Sequence, residues 1–372
     1  MKVLLTCPKL NQGGVERCVV DSANYLSEKN IENHICSNGG RMMVELNNTK
    51  HFTLPIHKKN PITILKNSFK LAKYIKENNI DIVHAQSRAP AWVSLMACKI
   101  TNTAYVTTYH GAFSHENFLK RLYSWPVRAG AKTAAISDYI KNHLQSIYNL
   151  PNSQIKTIYR SFNKDKFNLK NLDMNKVKEI KEKYDLNNTT TLCLVGRFSK
   201  IKGQVQLLEA LNKIKDENWK LLLVGSGNKQ VEEDVANLVK SYKLEDKVIL
   251  TGNQTNPEYF YAAADICLSV RITPEAFGLT PLEAQALEKI IIATNQGGHL
   301  ETVKDGETGY LIQHDDLDNW AEKIKLAINL PTEVREQMGK AGRKWVESKY
   351  TLEKMCEAEV DMYNEVLQKK GN

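Results

Sequence analysis

Short apolar runs alternate along the chain with longer stretches whose apolar positions recur every three to four residues. The short runs predict strands buried on both faces, and the longer stretches predict helices with one apolar stripe. In the first half this spacing gives strands over 3–7, 34–37, 81–84, 105–109, 133–136 and 156–159, and helices over 16–29, 61–78, 89–100 and 138–147. In the second half strands fall over 191–195, 220–224, 247–250, 265–270 and 290–293, and helices over 204–214, 231–242, 257–263 and 279–287. Strand and helix in alternation mean a parallel sheet covered on both faces, and two such sets mean two doubly wound α/β domains.

A polar join over 163–188, rich in Asn and Lys, predicts a loop and a short charged helix, and 351–369 predicts an amphipathic helix. The expected domains are therefore 1–165 and 166–350, followed by a terminal helix over 351–372. A chain of 372 residues exceeds what one core usually organises, which agrees with two domains. Ligands bind outside the carboxyl ends of strands in such sheets, so a cleft between the domains is the expected site.

Composition narrows the class. No apolar run approaches the roughly 18 residues of a membrane span, and residues 1–7 read as a first buried strand rather than a signal peptide. The seven cysteines are scattered, odd in number and without C-x-x-C, which argues against a disulfide framework or a zinc site and points to a reducing, cytoplasmic compartment. Charge is uneven: residues 1–170 hold 24 Lys+Arg against 10 Asp+Glu, and the remainder holds 27 against 32. The basic half calls for an anionic partner, such as a membrane surface, a phosphorylated acceptor or nucleic acid. With no RNP-like pattern and no helix-turn-helix, nucleic acid is not the expected one.

Four loops that follow predicted strands carry candidate chemistry. In Pro8-Lys9-Leu10-Asn11-Gln12-Gly13-Gly14-Val15-Glu16, Gly13 and Gly14 let backbone approach a ligand at a helix start, although a plain βα turn would look the same. In Thr108-Tyr109-His110-Gly111, a strand-end imidazole can exchange hydrogen bonds with hydroxyls, against the commoner structural role of a lone His. In Gly196-Arg197-Phe198-Ser199-Lys200-Ile201-Lys202-Gly203, two cations lie ahead of a helix start, which suits a diphosphate leaving group. In Pro274-Glu275-Ala276-Phe277-Gly278-Leu279-Thr280-Pro281-Leu282-Glu283, two carboxylates flank a Gly turn and a helix start.

These motifs together resemble retaining glycosyltransferases of family four, with the two-domain GT-B architecture and the lipopolysaccharide-core and capsule-type sugar transferases among them. Glu275-Ala-Phe-Gly-Leu-Thr-Pro-Leu-Glu283 is like the family's E-x(7)-E signature, and Gly196-Arg197 with Lys202-Gly203 is like its diphosphate loop. Gly13-Gly14 and His110-Gly111 are similar to its first-domain features, Ala135-Ile136-Ser137-Asp138 to a strand-to-helix turn, and Gly225-Ser226-Gly227 to its V-G-x-G turn. One place departs: where the family often has N-G-hydrophobic-D, this chain has Arg160-Ser161-Phe162-Asn163, followed by Lys164-Asp165-Lys166-Phe167.

The resemblance implies a fold of two Rossmann-like domains facing across a cleft, the first on the acceptor side and completed by the terminal helix, the second binding a nucleotide sugar. It implies a retaining hexosyltransferase moving a sugar from a nucleotide-diphosphate-sugar to a glycan or lipid-linked acceptor in bacterial cell-surface polysaccharide or lipopolysaccharide synthesis. Arg197 and Lys202 would hold the diphosphate with the turn at Gly196, Gly225, Phe277, Gly278, Leu279 and Thr280; Glu283 would bind the ribose, and Glu275 and His110 the donor sugar. Gly13 and Gly14 would make room for donor phosphate or acceptor.

No cofactor is expected beyond the nucleotide sugar as co-substrate, and no metal, because fixed cations and helix-start amides can stabilise the leaving group. Asp316-Leu317-Asp318 precedes a helical run and reads as N-capping rather than metal binding. The stretch 118–128, with Lys120, Arg121, Trp125 and Arg128, is either a core-packed helix or an amphipathic contact with acceptor or anionic membrane; the basic half favours peripheral contact on the cytoplasmic face of the inner membrane. The alternatives are a nucleotide-sugar epimerase of the same fold and a non-catalytic protein that binds an anionic surface or a sugar nucleotide.

Overall fold

The computed structural model describes residues 1–11, 13–113 and 117–371. The chain forms two compact units, Met1–Arg160 joined by the last segment from Leu352, and Ser161–Thr351.

The first unit holds β1 (Lys2–Thr6), β2 (Glu32–Ser37), β3 (Lys50–Thr53), β4 (Ile82–Ala85), β5 (Ala104–Tyr109), β6 (Lys132–Ala135) and β7 (Ile155–Thr157). They pair in parallel in the order β3-β2-β1-β4-β5-β6-β7, with Leu4 opposite His34 on one side and Val83 on the other. The second unit holds β8 (Thr190–Val195), β9 (Trp219–Val224), β10 (Val248–Gly252), β11 (Ile266–Ser269), β12 (Ile290–Thr294) and β13 (Gly309–Ile312), ordered β10-β9-β8-β11-β12-β13. Each sheet reverses its winding once, between β1 and β4 and between β8 and β11. At such a switch point the loops leaving neighbouring strands diverge and open a crevice at their carboxyl ends.

The central strands form because Val3, Leu4 and Leu5, or Leu221, Leu222 and Leu223, are fully buried on both faces of a sheet covered by helices. The helices present one stripe: Cys18, Val19, Val20, Ala23, Tyr25 and Leu26 of the helix Gly14–Glu28 enter the first core. The return helix Leu352–Gly371 adds Met355, Cys356, Met362, Tyr363 and Val366 to that same core.

Edge elements depart from the expected pattern. β3 (KHFT) and β13 (GYLI) are four-residue strands at the sheet edges with partly exposed side chains, so neither shows the double-faced apolar run. The helix Thr332–Lys349 buries Met338, Gly339, Gly342 and Val346, a stripe of mostly small residues that leaves little periodic signal. In the polar join, the short helix Met174–Lys183 starts where the Asp173 side chain accepts from the Asn175 amide.

Candidate functional site

In the second unit the loop after β8 is shaped by a backbone contact. Gly225, just past β9, has φ +141°. A Cβ there would lie 2.2 Å from the Gly196 carbonyl oxygen, so only glycine lets these two turns touch. The loop then coils through the turn Lys200–Lys202 into the helix Gln204–Asn212.

The two cations read together in the sequence have different surroundings. The Lys202 ammonium lies 3.2 Å from Glu275 Oε2, while Arg197 is exposed and its carbonyl accepts from Gln204 Nε2 at 3.2 Å. A second cation on Glu275 comes instead from Arg271, 7% exposed, whose Nη1 is 3.3 Å from the same oxygen. Burial pushes the Glu275 carboxyl up, but the Lys202 and Arg271 charges outweigh it and hold it below the ordinary range. One carboxylate thus faces two cations, which leaves the cluster net positive. Its sequence signal was a cation four residues before Glu275, hidden in a loop with no periodicity.

The Glu275 loop is clamped from beneath by Gln296-Gly297-Gly298-His299, which the sequence reading passed over. The Gly298 amide donates to the Glu275 carbonyl at 2.8 Å, and a Cβ on Gly298 would lie 2.3 Å from Phe277 Cα. His299 is fully buried; its Nδ1–H donates to the Thr294 carbonyl at 3.1 Å and its Nε2 is 3.2 Å from Ser269 Oγ. Burial is the main reason its pKa falls to about 4, so the ring is neutral. A glycine pair after a buried strand was the available clue.

Gly278, with φ +105°, precedes the helix Leu279–Ala286, whose first-turn amides at Leu279 and Thr280 have no partner within the helix. Phe277, expected to contact the donor, is buried at 3% exposure, and its ring packs edge-on against Tyr350 with centroids 5.5 Å apart. Glu283 accepts from the Tyr261 hydroxyl at 3.0 Å. Burial pushes its pKa up to about 7, with Lys166 opposing and Glu258 reinforcing. Lys166 is itself paired with Glu258 at 3.2 Å.

In the first unit Gly13 and Gly14 start the helix Gly14–Glu28 after β1; Gln12 of that motif lies outside the described residues. His110 follows β5, with Nε2 2.7 Å from Gln86 Oε1 and Nδ1 2.9 Å from Arg160 Nη1. A guanidinium only donates, so Nδ1 accepts and the proton is on Nε2. Burial, with Arg160 and His84, holds the ring well below its usual pKa and therefore neutral. Both ring nitrogens are thus engaged within the unit, and a ring contact to a sugar hydroxyl requires one of these bonds to open. Arg160, the residue at the departing motif, is 7% exposed and also donates to the Gly14 carbonyl. Its change from the family's pattern signalled the position but not the role.

The stretch 118–128 is not a core-packed helix. The helix Phe118–Tyr123 buries none of its residues, and it breaks before the turn Pro126–Arg128. Phe118 and Leu119 are 75% and 73% exposed, and Lys120, Arg121 and Trp125 are exposed beside them. Arg128 is drawn inward, stacked 3.8 Å over Tyr148 and donating to the Arg121 carbonyl at 3.2 Å. Elsewhere, Asp316 caps the helix Leu317–Ile328 by accepting from the Asn319 amide, and Asp318 pairs with Lys213. The seven cysteines are buried and unpaired. Among the described residues no helix is long and apolar enough to cross a membrane.

Two doubly wound parallel sheets, each presenting its loops at a switch point, define an enzyme of the GT-B transferase type. The chain belongs to the glycosyltransferases: residues 12–166 match the family described as Glycosyltransferase Family 4, and residues 176–345 the family described as Glycosyl transferases group 1. It is 34% identical to a glycosyltransferase of Rickettsia africae, covering 98% of both chains with a TM-score of 0.90. It is 29% identical over 92% of both chains to the capsular polysaccharide biosynthesis glycosyltransferase CapM of Staphylococcus aureus. The fold is also shared, at 18% identity and a TM-score of 0.84 over 98% of this chain and 100% of the other, with HepE of Anabaena, solved in complex with UDP and glucose.

Proposed function

We propose that the enzyme moves a hexose from a nucleotide-diphosphate-sugar to a glycan or lipid-linked acceptor of a bacterial surface polysaccharide, with retention and without a metal. The observation that carries this is the cluster of Lys202 and Arg271 on Glu275, one turn from the helix start at Gly278. Fixed cations and helix-start amides stabilise charge that develops on a departing diphosphate. The names of CapM, for capsule synthesis, and of HepE, for its UDP complex, support the same direction.

In this reading Lys202, Arg271 and the amides of Leu279 and Thr280 hold the diphosphate, Arg197 reaches it from the loop edge, and Glu283 accepts from the ribose hydroxyls. Glu275 orients the sugar. The bond from the anomeric carbon to the phosphate oxygen breaks, the acceptor oxygen bonds to that carbon on the same face, and the acceptor's proton passes to the departing phosphate oxygen. The second unit thus serves the donor nucleotide, and the first unit serves the acceptor and, through His110, the donor sugar. The exposed Phe118, Leu119 and Trp125 with Lys120 and Arg121 suit an anionic bilayer surface, where aromatic and cationic side chains partition together.

A panel of UDP-, GDP- and ADP-sugars, scored for nucleotide release and acceptor glycosylation, tests the assignment. One donor is expected to be turned over with retained anomeric configuration and with undiminished rate in EDTA. Inversion, or a rate abolished by EDTA and restored by Mg²⁺ or Mn²⁺, overturns the corresponding part. Sedimentation with anionic vesicles tests the surface: binding at low salt that weakens in Phe118→Ser/Lys120→Glu is expected, and no binding refutes it.

A further inference from the structure

Beneath the loops after β1 and β5 lies a set of buried polar groups that the transfer chemistry does not use. His84, Gln86, Arg160 and Glu359 are 0%, 0%, 7% and 4% exposed. They come from β4 and its following loop, from the residue where the chain leaves the first unit, and from the helix on which it returns. Glu359 and Tyr363 are one turn apart on that helix and share a face. Tyr363 Oη is 2.7 Å from His84 Nδ1, and His84 Nε2 is 2.7 Å from Thr108 Oγ1. The Glu359 carboxyl lies against Ser22, Arg160 and Gln86.

The amide nitrogen of Gln86 lies over His84, 3.3 Å from each ring nitrogen, and has a second proton for the Glu359 carboxyl beside it, while its oxygen accepts from His110 Nε2, 2.7 Å away. Arg160 meets the other nitrogen of the same ring, donates to the Gly14 carbonyl, and carries the charge that opposes Glu359. A buried carboxyl is destabilising compared with an apolar side chain of its size, and here burial pushes it up to about 7. Packing alone gives no reason for a Glu at this position, whereas orienting an amide does.

We propose that Glu359 and Arg160 are positioning residues that act through Gln86 to hold the His110 ring as the neutral Nε2–H tautomer and to fix the Gly14 carbonyl. The loops after β1 and β5 are then preformed within the first unit, and the return helix is required for their shape as well as for the core. The inference rests on the reading above that His110 faces the donor sugar.

The test uses the full chain with ¹⁵N-labelled histidine, and His110→Asn to assign the His110 signals. Wild type is expected to show His110 as Nε2–H, without titration from pH 6 to 8. Glu359→Met is expected to keep or raise the thermal midpoint, to give His110 mixed tautomers, and to lower kcat at least tenfold with KM for the donor changed less than threefold. Glu359→Gln, which can still accept from the Gln86 amide, restores the single tautomer and most of kcat. Arg160→Lys keeps the cation but loses the fork, and is expected to show the same spectral and kcat changes as Glu359→Met. An unchanged His110 spectrum in Glu359→Met and Arg160→Lys overturns the network. A disturbed spectrum with kcat within twofold of wild type overturns its positioning role. If wild type turns over no donor, the proposed function fails, while the spectra still decide the network.

Discussion

Lys202 and Glu275 show what a single side chain contributes at this site. Their contact is partly exposed, at 27% and 22% for the two side chains, so as an ion pair it adds little stability. Lys202→Ala should therefore leave the thermal midpoint nearly unchanged. In the proposed role the same change removes a preorganised charge from the leaving group, and it is expected to lower kcat about 10²–10³-fold. Steady-state kinetics beside thermal-shift data check both halves. Glu283 gives a pH signature. Its carboxyl, raised to about 7 by burial, becomes mostly ionised above that pH, and in the proposed role it is the ionised form that accepts from the ribose hydroxyls. Affinity for a nucleoside diphosphate is expected to rise as pH goes from 6 to 8, and Glu283→Gln to flatten that rise in calorimetric titrations.

At the scale of elements, the candidate site depends on turns that touch. Gly225 is held by contact with the Gly196 carbonyl at a positive φ, so Gly225→Ala brings both a clash and backbone strain. The expected result is a nucleotide affinity at least ~10-fold weaker, since ~1.4 kcal/mol of displacement suffices, with a lower thermal midpoint. Binding at wild-type strength would show that the two turns move freely. The return helix carries a second pH effect. Glu359 has a folded pKa of about 7 against an ordinary 4.5, so between those values the folded state holds a proton that the unfolded chain has released. Stability from this group is full below about 4.5 and is lost as pH rises towards 7, by up to about 3 kcal/mol. Urea unfolding at pH 5 and pH 8 should show that decline in wild type and a smaller one in Glu359→Gln.

For the whole molecule, the chain's path matters more than any one element. It leaves the first unit after Arg160 and returns at Leu352, so the last helix completes a core begun by the first strand. Ending the chain after Thr351 strips Met355, Cys356, Met362, Tyr363 and Val366 from that core. At about 1.5–3 kcal/mol for each large apolar side chain, the loss approaches the whole stability of an ordinary domain. The truncated protein is expected to aggregate, or to lose amide protection in the helix Gly14–Glu28 by hydrogen exchange.

The sequence by itself determined the two doubly wound sheets, because β1, β5, β8 and β9 are apolar on both faces and that pattern survives in one dimension. It also marked the loops at His110, Lys202, Glu275 and Glu283 as candidates, because glycine, charge and a helix start after a buried strand form a local signature. Edge strands β3 and β13 lacked that pattern, since one of their flanks meets solvent rather than a neighbouring strand. Only the tertiary structure decided which groups meet: Arg271 rather than Arg197 on Glu275, Phe277 turned into the core, and Arg160, Gln86 and Glu359 gathered around His110. The physical reason is separation along the chain. Periodicity reports the burial of each residue in its own element, whereas Arg160 and His110 stand 50 residues apart and become partners only when the sheet and the return helix have closed around them.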